Sequence, residues 1–271
     1  MKPHLLRWRA GCRLAAALWC AAVALPAHAQ FALAISPPRF ELEAEAGDRV
    51  RDTIELTHTA AGSGSYTVRT ADWRMKPDGS VEFSDALAPG SCRPWVAIER
   101  RELSIGQGRP YRFRFEVVPP PDTPPVECRF ALMVEGKDDA SAAGMPLTFS
   151  GRIAVIVYVA VGKVSPVIDV TGSGVRQVDG QALPYLRVRN TGNAHGRLAG
   201  YLAGTDASDA RLEFQPEALA ILPGDTRDVA LVPSKPGDAD AAVAVAFPLT
   251  IQGKVEWGRS GTTAIDKRFA R

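Results

Sequence analysis

Groups that commonly do chemistry are scarce in this 271-residue chain. Of its four histidines and four cysteines, His4, His28, Cys12 and Cys20 fall within the first 29 residues, a segment expected to be removed. His58 and His195 remain, and neither has a partner at metal-ligand spacing, so no metal site is expected. His195 follows a tight turn and reads as a surface or turn histidine. There is no nucleophile-elbow pattern and no glycine-rich phosphate loop ahead of a helix. The carboxylate pair Asp138-Asp139 lies in a loop of small residues, where solvated charge is a simpler reading than an acid/base pair. Catalytic residues, cofactors and a small-molecule substrate are therefore not expected, and the chain reads as a binding protein.

One-signed charge is lacking too. The full chain carries 32 basic and 30 acidic residues, and loss of Lys2, Arg7, Arg9 and Arg13 leaves 28 against 30. A nearly neutral chain without a basic run is a poor nucleic-acid partner. Apolar runs are few and short. The run Leu14 to Leu25, behind a positively charged start and ahead of Ala27-His28-Ala29, fits a secretory signal peptide over residues 1–29, with cleavage before Gln30. No cysteine stands at that site, so a lipid anchor is not indicated. For an exported chain the two remaining cysteines, Cys92 and Cys128, suggest one disulfide, with buried free thiols as the alternative.

What is present is strand and turn. Val50, Asp52, Ile54 and Leu56 share one face of an extended segment, as do Tyr111, Phe113, Phe115 and Val117. Gly47-Asp48, Lys76-Pro77-Asp78-Gly79, Asn190-Thr-Gly-Asn193 and Leu222-Pro-Gly-Asp225 are turns. Pro119 to Pro125 cannot be strand interior, because each proline removes a ladder donor. Short strands at this spacing give an all-β fold of two tandem immunoglobulin-like sandwiches, residues 30–162 and 163–271. The organising stretch is Met145 to Val164. Ile153 to Val161 is apolar without a break, as in a strand covered on both faces. Ahead of it Met145, Leu147 and Phe149 alternate, and either the protein's own second sheet or a partner has to cover that stripe.

Four passages, in order along the chain, carry a resemblance. They are Ile35-Ser-Pro-Pro-Arg39-Phe with the Gly47-Asp48 turn, Ala71-Asp72-Trp73 with Asp78-Gly79, the Arg109 to Pro121 strand ahead of Cys128 to Val134, and Leu186-Arg-Val-Arg-Asn190-Thr-Gly-Asn193. With these the chain resembles the periplasmic pilus-assembly chaperones of the PapD-like superfamily. The resemblance implies an L-shaped pair of domains in the periplasm. The last strand of the first domain would lend apolar residues to a pilus or fimbrial subunit lacking its own final strand, by β-strand addition, before delivery to an outer-membrane usher. The lending residues would be Met145, Leu147 and Phe149. Basic residues in the interdomain cleft would bind the subunit's terminal carboxylate, and Arg39 matches the arginine of that pair. The family's second anchor, a lysine on the lending strand, has no counterpart within Ile153 to Val161. Arg152 stands earlier on the strand and is taken as the second anchor, with Lys163 beyond the run as a weaker substitute. A cysteine pair is not a general feature of the family. The other reading is a periplasmic or surface protein that uses the same sandwiches for adhesion or scaffolding.

Overall fold

The computed structural model describes residues 32–76, 79–136, 151–178, 180–238 and 243–270. The expected signal peptide and the stripe Met145, Leu147 and Phe149 lie outside the described residues, as do Asp138 and Asp139.

Ten strands come first: β1 (Leu33–Ser36), β2 (Arg39–Ala44), β3 (Val50–His58), β4 (Ser63–Met75), β5 (Val81–Ser84), β6 (Val96–Ile98), β7 (Glu102–Gly106), β8 (Pro110–Val117), β9 (Val126–Gly136) and β10 (Arg152–Val161). They make two facing sheets, one in the order β1-β3-β8-β6 and the other in the order β2-β10-β9-β4-β5, with β7 also on β4. Pro37 and Pro38, lacking N–H donors, break the chain between β1 and β2. The first arm therefore pairs with β3 in one sheet and the second with β10 in the other. Period-2 alternation then fills the space between the sheets. Ile54, Leu56, Phe113, Phe115 and Val117 meet Phe130, Leu132, Val134, Val155, Val157 and Val159 in one core. Cys92 and Cys128 are bonded, with α-carbons 6.1 Å apart, which ties the loop before β6 to β9.

The remaining strands are β11 (Ile168–Val178), β12 (Gln181–Asn190), β13 (Leu202–Thr205), β14 (Arg211–Pro216), β15 (Thr226–Ser234), β16 (Leu249–Trp257) and β17 (Gly261–Phe269). Their order is β11-β12-β15-β14-β13-β16-β17. Residues Thr226 to Ala230 of β15 pair with β12 and residues Leu231 to Ser234 with β14. The sheet folds over at this strand and closes on a second core that includes Leu186, Val188, Phe214 and Phe269. Two stretches become strand later than their apolar content suggests. Val243 to Ile251 becomes strand only at Leu249, because Pro248 cannot donate to a ladder. Arg197 to Leu202 becomes strand only at Leu202, after Gly200 bends the chain at a φ of +118°. Upstream of it Gly196 and Ala199 make only isolated bridges, to Ile221 and Glu256.

Gly162 and Lys163 lie between the two sets of strands, and Gly162, at a φ of +65°, turns the chain out of β10. The segment that follows is fastened by Asn190-Thr-Gly-Asn193. Ser165 N–H donates to Asn193 Oδ1 at 2.9 Å and Val167 N–H to Asn190 Oδ1 at 3.2 Å. Thr191 N–H donates to Val167 O at 2.8 Å. The approach is so close that a β-carbon on Gly192 would stand 2.4 Å from Ser165 O.

Candidate functional site

Strand β10 explains both the unbroken apolar run and the site. Its odd-numbered residues Val155, Val157, Val159 and Val161 face the first core. Ala154, Ile156 and Tyr158 face the other way, into a smaller cluster with Trp73, Met133 and Leu222 of the following half. Both faces are covered, so neither could be polar. One of the strand's borders is only partly used. Strand β9 pairs with β10 from Arg152 to Val161, whereas β2 runs parallel to it only from Ile156, opposite Arg39, to Val161. Among the described residues, Arg152 to Val155 pair on the β9 side alone.

Where β2 begins, a cleft of 1060 Å³ opens between the halves. Alternation on β2 turns Phe40 and Leu42 into the core and Arg39, Glu41 and Glu43 outward. Glu41 sits opposite Tyr158. From the other half comes the stretch around His195 and Arg197, reached only because the Asn190 turn folds it back over β10. Three nitrogens converge on a single oxygen. Arg39 Nε and Arg197 Nη1 are each 2.9 Å from Glu41 Oε1, and His195 Nε2 is 3.5 Å away.

The side chains behind that oxygen are held firmly. Tyr158, 3 % exposed, stacks on the His195 ring at 3.7 Å and meets Trp73 edge-on at 5.8 Å. The Arg197 guanidinium lies 5.4 Å from the Tyr158 ring centre, a cation on the negative face of the ring. The side chains of His195 and Glu127 are 8 % and 4 % exposed. Glu127 accepts from both the backbone N–H of His195, at 2.9 Å, and its Nδ1, at 2.7 Å. Arg197 Nη1 lies 2.8 Å from His195 Nε2. A guanidinium can only donate, so Nε2 accepts and the ring proton is on Nδ1, shared with Glu127. The 3.5 Å approach of Nε2 to Glu41 becomes an ion pair only when the ring is protonated, and the shorter contact with Arg197 sets the tautomer. Partial burial by itself raises the pKa of Glu41, but the neighbouring His195, Arg197 and Arg39 outweigh it, and the carboxyl sits below its ordinary value. Burial pushes the Tyr158 phenol up.

Arg39 is therefore in the cleft. Arg152 is not beside it: it shares that face of the sheet but pairs with Glu135 of β9 at 2.9 Å. It lies four residues, about 13 Å, up the strand from the position opposite Arg39. Lys163 lines the cleft. His195, read from its turn as a surface residue, is instead packed between the halves. Glu41, Glu127, Tyr158 and Arg197 escaped the sequence reading. Tyr158 alone carried a signal, as the one polar-tipped residue in an otherwise apolar run, on the same strand face as Arg39. Glu43 pairs with Arg259 at 2.6 Å across the same cleft. A second strut lies at the β4–β5 end, where Arg227 donates to the carbonyls of Lys76 and Met75 at 2.9 and 3.4 Å.

No protein-family model and no curated protein sequence matches the chain. Among solved structures it is similar to the chaperone YadV, at 11% identity over 88% of this chain and 99% of that one, with a TM-score of 0.48. It is also similar to the class 5 fimbriae chaperone CfaA, at 10% identity over 88% and 99% and a TM-score of 0.46. A third likeness is to the CsuC–CsuE chaperone–tip adhesion subunit pre-assembly complex of Acinetobacter baumannii, at 16% identity over 88% and 97% and a TM-score of 0.44.

Proposed function

We propose that this protein is a non-catalytic periplasmic chaperone that stabilises strand-deficient pilus subunits by lending them a strand edge and passes them to an outer-membrane usher. The observation that carries the reading is the half-used border of β10. Backbone N–H and C=O groups along such a border can extend a partner's sheet, and β2 leaves it open just upstream of Arg39. An added strand must end where β2 begins. If it runs parallel to β10, as β2 does, its C-terminus arrives at Arg39, and guanidinium and carboxylate attract. Run the other way, it would bring a terminal ammonium to the same arginine. Charge thus selects one direction for the guest.

In this reading Met145, Leu147 and Phe149 precede the open border and supply the apolar side chains that fill the subunit's groove. The chain divides into two domains at Gly162-Lys163, and the cleft between them receives the guest's terminus. Of the proposed anchors, Arg39 is the primary one, and Arg152 and Lys163 act on the strand before and after it. The test is co-expression in the periplasm with the subunit encoded nearest the gene. Phe149→Asp and Arg39→Ala should each lower the yield of soluble subunit severalfold while leaving the level of this protein unchanged, since a lost charge-assisted bond costs about 1.5–3 kcal/mol. Unchanged subunit yield with both variants would overturn the reading.

A further inference from the structure

We propose that Arg197, carried by the second half of the chain, is the partner of Arg39 in gripping a guest's terminal carboxylate, and that Glu41 occupies the grip until the guest displaces it. This rests on the strand-lending reading and adds what neither the order of strands nor the apolar stripe supplies, an occupant for the empty protein.

The argument is one of unequal mobility. Arg197 makes three side-chain contacts besides Glu41. Nη1 meets His195 Nε2 at 2.8 Å, Nη2 lies 3.4 Å from the Tyr158 hydroxyl, and the guanidinium lies over the Tyr158 ring at 5.4 Å. These partners are fixed, since Tyr158 is 3 % exposed and His195 is pinned by two bonds to the buried Glu127. Glu41, by contrast, is half exposed, and its carboxylate is met by Arg39, Arg197 and His195 at the cleft surface. If it leaves, Arg197 stays in place. Arg39 then faces it across the space that Glu41 Oε1 had filled, each guanidinium about one hydrogen-bond length from the vacated position. Two cations on opposite walls, prearranged around one anionic oxygen, form a carboxylate site that the free protein neutralises internally. Two other cleft carboxylates are engaged elsewhere, Glu43 with Arg259 and Glu127 with His195. Arg197 would take the role for which β10 offers no lysine.

The probe is a peptide alternating Val and Ser, prepared with a free C-terminal carboxylate and as its C-terminal amide. Binding of both forms is measured by calorimetry to wild type, Glu41→Gln, Arg197→Ala and Arg197→Gln. The last variant keeps a donor for His195 in case alanine loosens the seam, and thermal melts of all four report folding. Wild type should prefer the free acid. Glu41→Gln should raise that preference roughly two- to fivefold, the worth of an exposed ion pair. Both Arg197 variants should cut it about tenfold or more, with amide binding unchanged throughout. A preference untouched by Arg197→Gln, or lowered by Glu41→Gln, overturns the proposal. So does a parallel change for acid and amide, which would make these residues a strut between the halves and nothing more. If neither peptide binds wild type, strand lending fails by itself, and N-acetylglycine, a carboxylate with no strand to add, tests the grip alone. A saturable shift of the Arg197 side-chain NMR signals in Glu41→Gln supports the grip. No shift overturns it.

Discussion

Tyr158→Ala is the sharpest test of how the halves are joined. The ring lies at the centre of the seam, edge-on to Trp73 at 5.8 Å, flat on His195 at 3.7 Å and beneath the Arg197 guanidinium. Truncating a buried aromatic to alanine costs about 3–5 kcal/mol, and here the lost aromatic contacts, worth about 0.5–1.5 kcal/mol each, fall on residues of both halves. A cost of about 4 kcal/mol is a large part of the roughly 5–15 kcal/mol that holds a folded protein together. Tyr158→Phe keeps the stacking and loses only a hydroxyl whose contact with Arg197 Nη2, at 3.4 Å, is long for a hydrogen bond, so its cost should stay under about 1 kcal/mol. Urea unfolding followed by fluorescence, with Trp73 at the seam and Trp257 in the second half, reads both quantities. For the alanine variant the transition should move to lower urea and separate into two steps as the halves uncouple. A loss below about 1 kcal/mol, or equal losses for alanine and phenylalanine, would refute the account of the seam.

Asn190 is fully buried and fully satisfied. Its amide donates to the carbonyls of Ala194 and Ile221 at 2.7 and 2.8 Å, and its oxygen accepts from Val167 and Gly192. Asn190→Asp should cost at least about 3 kcal/mol in chemical unfolding, because it sets a buried carboxylate against two carbonyl oxygens; a cost under about 1 kcal/mol would contradict the bonding described. Removing the Cys92–Cys128 bond, which spans 36 positions, in a Cys92→Ala/Cys128→Ala protein should cost about 4 kcal/mol on the chain-entropy argument, read as a lower melting temperature that thiol reductant no longer changes. Glu41 gives a pH signature. Its folded pKa lies below the ordinary 4.5, so its pairing stabilises the fold fully above that value and the contribution disappears as pH falls through the lowered one. The melting-temperature gap between wild type and Glu41→Gln, small for a half-exposed pair, should therefore close in acid; a gap that widens there would reverse the sign of the argument.

Much of the architecture is legible in the residues because burial has the period of the strand. The alternations at Val50 to Leu56 and Tyr111 to Val117 place Ile54, Leu56, Phe113, Phe115 and Val117 inward, where the structure buries them, while Val50, Asp52 and Tyr111 on the same faces are half-buried, and the unbroken run Ile153 to Val161 is the strand with both faces covered. The strand starts after Pro248 and Gly200 are not legible in apolar content, which does not report a missing donor or a turned backbone. The cleft was barely legible. Glu41 looks like any outward residue of an alternating strand, and Arg197 lies 156 positions beyond it.

By itself, then, the sequence determined the pleated, layered character of the protein and the pair of bonded cysteines as an expectation, since each of these follows from local chemistry or spacing, whereas Arg39 stood out only through a family resemblance. Only the tertiary structure decided that β2 stops short on β10 and that Arg39 and Arg197 meet over one oxygen of Glu41. It also took His195 from a turn on the surface to a wedge between the halves. Those facts depend on how two separately packed sets of strands are set against each other, and a contact across that seam leaves no periodicity in the chain.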